Sequence, residues 1–129
     1  MKIIKVSSAF NEQLFHGSSI ENIDNLVPNK SVLRGYGIFL SDSLKYAKVF
    51  GEYIYICEVN LINPKIYDDS VNLEIDSMRN NGIDKLYDAL QSKGHDGVVI
   101  YKSKVSIGTV KEVICFSENS VKIIKKLWK

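Results

Sequence analysis

The stretch GYGIFLSDSLKYAKVFGEYIYICEVNL, residues 35–61, places a strand, a helix and a second strand in direct succession. Gly35–Leu40 leads from glycines into a short apolar run that is typical of a buried strand. Ser41–Ser43 supplies side-chain oxygens that cap a helix N-terminus, and the helix that follows, LKYAKVF, ends at Gly51. Glu52–Leu61 is rich in aromatic and β-branched residues, which predicts the second strand.

The rest of the chain continues this alternation of short strands and short helices. Apolar residues at helical spacing, from Ile83 to Leu90, predict a helix that ends at Lys93–Gly94. A serine three residues before a glutamate in Ser18–Glu21 predicts a short helix or turn, and the polar segment Asn25–Arg34 predicts a loop. Further strands are predicted at Lys2–Val6, Gln13–His16, Val98–Tyr101, Val110–Phe116 and Val121–Ile124.

This pattern predicts an α+β domain with a split or strongly curved β-sheet core and short flanking helices. Few of the strands are joined by tight hairpins, so most strand pairing must be non-local. No repeat, low-complexity segment or Pro/Gly-rich linker divides the sequence. Residues 1–129 are therefore predicted to form a single domain.

Composition and charge are those of an ordinary globular protein. Hydrophobic residues make up 45% of the sequence and charged residues 25%. A net charge of +2 is too small to predict a nucleic-acid or membrane partner. Lys125, Lys126 and Lys129 form a basic end, which we expect to be a solvated tail.

A cytosolic location is expected, in a bacterium or in an infected host cell. MKIIKVSSAF at the N-terminus has an apolar pair but no cleavage pattern, so it does not resemble a signal peptide. No apolar run approaches the roughly 18 residues that span a bilayer. Cys57 and Cys115 lie in apolar runs without CxxC spacing, which predicts reduced core residues and no disulfide.

Few residues are candidates for chemistry. The two histidines and two cysteines lack ligand spacing, so no metal site is expected. GYG at residues 35–37 lacks the later glycine and the Lys-Ser/Thr of a phosphate-binding loop. His95, in KGHDGVV, is predicted to be a surface turn residue.

His16 and Glu112 are the stronger candidates. His16 ends an apolar strand and precedes Gly17, which lets a ligand approach the backbone closely. The alternative for His16 is a polar strand end beside a capping Ser18. Glu112 lies in TVKEVICF, where a carboxylate loses free energy on burial unless it has partners or opens onto solvent. The alternative is a strand-edge glutamate that faces water beside Lys111.

Three motifs, in order, resemble the ADP-ribosyltransferase superfamily. They are HGS at residues 16–18, GIFLSDSLKYA at 37–47 and KEVICFSENSVKI at 111–123. The nearer resemblance is to the branch with a His–Tyr–Glu triad, which includes poly(ADP-ribose) polymerases and diphtheria-like toxins. DGVVI at 96–100 also resembles small bacterial and phage members. The resemblance implies an ADP-ribosyltransferase-like α+β domain with a split, curved sheet.

The resemblance also implies NAD as substrate and gives the candidates their roles. His16 would hydrogen-bond a ribose, and main-chain groups of Gly17 would pair with the nicotinamide carboxamide. Tyr46 would stack on the nicotinamide ring, and Glu112 would bind a ribose hydroxyl and stabilise the oxocarbenium-like cation. The implied catalytic residues are Glu112, His16 and Tyr46, and the implied NAD-binding residues are His16, Gly17, Ser18, Arg34, Phe39, Ser41, Ser43 and Tyr46.

Some of these roles come with alternatives. Either Ser43 or Ser41 would add a hydrogen bond to the nicotinamide amide. Arg34, together with Lys30, would meet the NAD pyrophosphate, although a solvated loop is the favoured interpretation of that segment.

Two positions depart from the family pattern. Phe39 stands where the family has its first tyrosine, so its ring can stack but has no hydroxyl to donate. Val110 stands two residues before the glutamate, where arginine-modifying toxins carry an acidic or amide residue. Arginine is therefore not the expected acceptor.

We expect a small mono-ADP-ribosyltransferase that cleaves NAD without a metal and transfers ADP-ribose to a macromolecule. A protein is the expected target, a nucleic acid stays open, and the biological role implied is a phage or bacterial effector, either a toxin or a defence inhibitor. One alternative is an NAD glycohydrolase or a degenerate NAD-binding module, which Phe39 favours. The other is a protein–protein interaction domain in which His16 and Glu112 are incidental.

Overall fold

A computed structural model gives the fold, and it describes residues 9–31 and 34–128. Within these ranges the chain forms eight strands and three α-helices. The strands are β1 (Phe10–Ser18), β2 (Asn29–Ser31), β3 (Gly35–Ser41), β4 (Tyr53–Leu61), β5 (Lys65–Asp69), β6 (Gly97–Val105), β7 (Gly108–Cys115) and β8 (Val121–Lys126). The helices are α1 (Leu44–Ala47), α2 (Ser70–Arg79) and α3 (Ile83–Ser92).

The strands form one mixed sheet in the order β5-β6-β7-β3-β1-β4-β8, and β2 pairs with β3 outside this path. Only β5 and β6 run parallel among the described pairs. Most neighbours are far apart in sequence, and β6–β7 is a hairpin with a two-residue turn between Val105 and Gly108. The α+β class and the non-local pairing are thus confirmed.

One row of paired residues crosses the middle of the sheet and places the candidate site. Glu112 on β7 pairs with Ile100 on β6 and with Ser41 on β3. Ser41 pairs in turn with Phe15 on β1, and Phe15 pairs with Ile56 on β4. Phe15–Ser41 is the single pair of described residues that joins β1, β4 and β8 to the other strands. Beyond that pair β1 and β3 separate.

Helix α1 lies over the gap between β1 and β3, and local features at both of its ends and at Gly17 place it there. The Ser43 side chain accepts a hydrogen bond from the Tyr46 main-chain N–H, which is the predicted N-cap. A 3-10 turn, Lys48–Phe50, continues α1 and ends at Gly51 with φ of 153°. Gly17 permits the close approach of α1 to β1, since a Cβ at Gly17 would overlap the carbonyl oxygen of Ala47.

Two clusters of buried apolar residues form the core. The larger one packs around Leu14, Tyr55 and Val113, and it contains both cysteines. The smaller one lies under α2 and α3, around Leu73, Tyr87 and Ile114. Cys57 and Cys115 are free and fully buried, and burial raises the pKa of the Cys57 thiol to about 12. They are core residues, as predicted.

Several predicted elements differ from the structure. The strand predicted at Gln13–His16 extends to nine residues, and of the short helix or turn predicted at Ser18–Glu21 it is the turn that forms. There the Ile20 N–H donates to Ser18 Oγ at 3.0 Å, so the serine closes a turn. The predicted loop Asn25–Arg34 contains β2, while β5 and α2 lack any predicted counterpart. The strand predicted at Lys2–Val6 lies outside the described residues.

The strands predicted in the second half are displaced or extended. The strand at Val98–Tyr101 continues to Val105, and the one at Val121–Ile124 continues to Lys126. None of the helices in the described part of the chain is long and apolar enough to cross a membrane.

Candidate functional site

A cavity of about 550 Å³ lies where β1 and β3 separate. Its walls come from β1, β2, β3, α1 and the middle of β7, where Glu112 lies. This volume is within the range of small-molecule pockets in proteins. The cavity brings together eight of the nine candidate residues, which are His16, Gly17, Ser18, Arg34, Phe39, Ser41, Tyr46 and Glu112. Ser43 does not line it and instead caps α1.

His16 is fixed by a hydrogen bond across the gap between the strands. Its Nδ1 lies 2.7 Å from the main-chain oxygen of Phe39. A carbonyl oxygen only accepts, so Nδ1 must carry the hydrogen. Burial lowers the pKa of His16 below its ordinary value, while the bond to Phe39 acts in the opposite direction. The ring is therefore neutral near pH 7, and Nε2 is left as an acceptor.

Tyr46 forms an aromatic wall of the cavity. The side chain is only 8% exposed, and its ring packs edge-on against Phe50 at 5.1 Å between centroids. Burial raises the pKa of Tyr46, and the negative charge of Glu112 adds to this, while the charge of Arg34 opposes it. The phenol is therefore neutral and forms no hydrogen bond with the other described residues.

Glu112 is held in a buried three-residue network. Its Oε1 accepts from Arg34 Nε at 3.0 Å and from Ser103 Oγ at 2.9 Å, and Arg34 Nη2 donates to Ser103 Oγ at 3.2 Å. The three residues are 3%, 4% and 0% exposed, in the order Glu112, Arg34, Ser103. No described residue donates to Oε2. The carboxylate is thus paired through one oxygen, and its other oxygen is available at the cavity wall.

The position of Arg34 corrects the favoured interpretation of its segment as a solvated loop. The guanidinium is buried because the carboxylate of Glu112 and the hydroxyl of Ser103 satisfy it. Lys30 also lines the cavity but is exposed. The water-facing alternative for Glu112 is wrong for the same reason, since Glu112 is buried beside Arg34.

The rim of the cavity next to His16 is anchored by Tyr55. The buried Tyr55 hydroxyl donates to the Ile20 carbonyl at 2.8 Å and accepts from the Ile23 N–H at 3.0 Å. These bonds fix the segment that follows Ser18, which lines the cavity together with Gly17. Whether main-chain groups of Gly17 pair with a carboxamide stays a prediction.

Of the remaining candidates, Phe39 lines the cavity and His95 does not. Phe39 is half-buried, lines the cavity and also packs against the core cluster under α3. His95 lies away from the cavity and contacts the Asn63 carbonyl through Nδ1 at 3.0 Å. Among the described residues, no group of three or more His, Cys, Asp or Glu side chains is placed to hold a metal ion.

Sequence reasoning missed two residues of the site. Phe50, which the sequence places only within the helix LKYAKVF, lines the cavity beside Tyr46. Ser103 lies beyond the predicted end of its strand, in the polar sequence KSK, and carries no local signal. Its role depends on the pairing of β7 with β3 and with β6, which brings residues 34, 103 and 112 together.

The comparisons with known proteins bear on the fold alone. No protein-family model and no curated protein matches this chain. A solved structure described as the crystal structure of an anti-CRISPR protein is similar to it, with a TM-score of 0.52 and 19% sequence identity. The similarity covers 91% of this chain and 96% of that chain. The two proteins therefore share an overall fold.

Proposed function

We propose that this protein is a mono-ADP-ribosyltransferase that cleaves NAD and transfers ADP-ribose to a macromolecular acceptor. The observation that carries the proposal is the meeting of His16, Tyr46 and Glu112 in one cavity. They come from three separate elements, and the outermost two, His16 and Glu112, are 96 residues apart in the sequence. An accidental resemblance of the motifs would require no such convergence.

The hydrogen-bonding groups of the cavity suit a ribose. His16 Nε2 and Glu112 Oε2 are both acceptors without a partner among the described residues. A sugar hydroxyl donates to such atoms, whereas a phosphate without a proton does not. Phe39, Tyr46 and Phe50 provide apolar aromatic surfaces for the nicotinamide ring.

The reaction follows from these groups. The bond between C1′ of the ribose and the nicotinamide nitrogen breaks, and nicotinamide leaves with the bonding electron pair. Glu112 stabilises the positive charge that develops on the sugar. A nucleophilic atom of the acceptor then bonds to C1′ and releases its proton to solvent. His16 and Tyr46 orient the two halves of the substrate during these steps.

Nicotinamide release from NAD tests the proposal. We expect the wild-type protein to release nicotinamide and to label a macromolecule in a host-cell extract when the adenine of NAD is tagged. Glu112→Gln should lower release by about a hundredfold or more, because the charge opposite the cation is lost. Glu118→Gln, an exposed glutamate outside the cavity, is the matched control. Absence of both NAD binding and release in the wild type would refute the proposal and favour an interaction domain.

A second candidate is a protein that binds NAD without transferring ADP-ribose. Two observations favour it: Phe39 lacks a hydroxyl, and the guanidinium of Arg34 neutralises part of the charge that Glu112 would present to a cation. NAD binding without release identifies a binding module. Release without macromolecular label identifies a glycohydrolase.

The fold shared with an anti-CRISPR protein supports one biological role for the proposed activity. We propose that the chain inhibits a bacterial defence system by modifying one of its components. Its expression in a bacterium with an active CRISPR system should restore plaque formation by a targeted phage, and Glu112→Gln should abolish this effect. Full restoration by Glu112→Gln would separate the inhibitor role from the activity.

A further inference from the structure

Strand β6 contains an irregularity beside the candidate site. Ile100 pairs with Glu112, and Ser103 pairs with Val110, with a shift of register in between. Two residues of β6, Tyr101 and Lys102, therefore lie opposite a single residue of β7. This arrangement is a β-bulge, a feature that re-aims side chains and is frequent next to active sites.

The bulge decides which side chain of β6 reaches Glu112. In a regular ladder Lys102 would lie opposite Val110, on the face of the sheet that Glu112 shares. The extra residue puts Ser103 there instead, and Lys102 is exposed. A buried lysine at that place would compete with Arg34 for the carboxylate, whereas serine both accepts from Arg34 and donates to Glu112.

The geometry points to a positioning role for Arg34 and Ser103. We propose that these two residues hold the Glu112 carboxylate through Oε1 and so leave Oε2 as the atom that contacts the ligand; this inference rests on the proposed use of Glu112 in NAD cleavage. A ribose hydroxyl on Oε2 would leave the network intact. Arg34 then acts through Glu112 and is not the pyrophosphate ligand that the resemblance implies.

Kinetics of nicotinamide release separate this role from a merely structural one. Ser103→Ala and Arg34→Gln should lower kcat by about tenfold to a hundredfold, with KM for NAD changed less, because a misplaced carboxylate loses contact with the cation. In a Glu112→Gln background the same changes should have almost no further effect. Arg34→Lys keeps the charge and should recover only part of kcat, since lysine cannot donate in the same fork geometry.

The control variant is Ser70→Ala. Ser70 is also a buried serine beside β6, and it accepts from the Lys104 N–H at 3.2 Å, outside the cavity. Its loss should leave kcat unchanged even where thermal unfolding shows a lower stability. Equal losses of kcat in Ser70→Ala and Ser103→Ala, or an undiminished effect of Ser103→Ala beside Glu112→Gln, would overturn the positioning role.

Crystal structures of Ser103→Ala and Arg34→Lys test the positioning of the Glu112 carboxylate independently of any enzymatic activity. The Glu112 carboxylate should rotate or occupy two positions in both variants. An unmoved carboxylate refutes the inference, whether or not the wild type cleaves NAD. A wild type that releases no nicotinamide, combined with a displaced carboxylate in the variants, refutes the proposed function and retains the positioning of Glu112.

Discussion

His16 Nδ1 and the Phe39 carbonyl oxygen lie 2.7 Å apart, and their hydrogen bond spans the gap that opens between β1 and β3. One strand pair earlier, Phe15 and Ser41 still pair through the backbone. A side chain therefore continues the connection between the strands where the ladder ends. The bond also fixes the tautomer that leaves Nε2 as an acceptor in the cavity.

The half-buried His16 makes the stability of the fold depend on pH. Burial lowers its pKa in the folded state, so the unfolded chain takes up a proton first as pH falls through about 6.5. The contribution of His16 to the free energy of unfolding is fully present above this pH. It is lost below this pH, by up to about 1.4 kcal/mol per pH unit, until the lower pKa of the folded state is passed. Urea unfolding between about pH 7.5 and pH 5.5, one unit either side of an ordinary histidine pKa, measures this loss.

The matched variant is His16→Asn. Its amide keeps an N–H near the position of Nδ1 for the Phe39 carbonyl, yet it does not titrate in this range. All other ionisable groups are common to both proteins. The pH-dependent difference between them should therefore isolate His16. Parallel curves for the two proteins would contradict the prediction.

Gly17→Ala should destabilise the protein by about 3 kcal/mol, because a Cβ at this position overlaps the Ala47 carbonyl, and the backbone of α1 must move to relieve the overlap. Tyr46 lies on that helix, so the aromatic wall of the cavity should move with it. Gly108→Ala is the comparison, since it meets no atom of the described residues and loses only about 1 kcal/mol through its φ of 133°. Equal decreases in the free energy of unfolding of the two variants would show that the overlap with Ala47 does not destabilise the protein.

Tyr87→Phe should stabilise the protein by about 1 kcal/mol. The Tyr87 hydroxyl is buried and has no hydrogen-bond partner among the described residues. Removing an unsatisfied buried hydroxyl regains its desolvation cost. Tyr67→Phe provides the contrast, because the Tyr67 hydroxyl donates to Asp76 at 3.0 Å and its removal should cost about 1 kcal/mol. Shifts of the same sign in thermal unfolding would contradict this reasoning.

The sequence predicts those parts of the site that depend on local chemistry. The sequence predicts the Ser43 cap, helix α1 and its end at Gly51, because their signals lie within a few residues of each other. The same is true of the apolar strand β4. The α+β class follows from the alternation of such elements.

The parts that sequence analysis missed depend on contacts between distant segments. Arg34 is buried only because Glu112 and Ser103, 78 and 69 residues away, meet it. The β-bulge in β6 has no marker in the sequence KSK. Helix α2 buries only Ser70 and Leu73, and Val71, Ile75 and Met78 are exposed, so its apolar residues do not mark its buried face. Such features require the sheet order to be known first.

The departure at Phe39 provides the last prediction. Phe39→Tyr adds a hydroxyl at the cavity, at the position where the ADP-ribosyltransferase motif that the sequence resembles has a tyrosine. One added hydrogen bond contributes about 1 kcal/mol, so NAD affinity should rise about fivefold in isothermal titration calorimetry. Phe50→Tyr is the control, because this ring also lines the cavity but is half exposed, and water already serves a hydroxyl there. Unchanged affinity in Phe39→Tyr, or an equal gain in Phe50→Tyr, would show that position 39 does not limit binding.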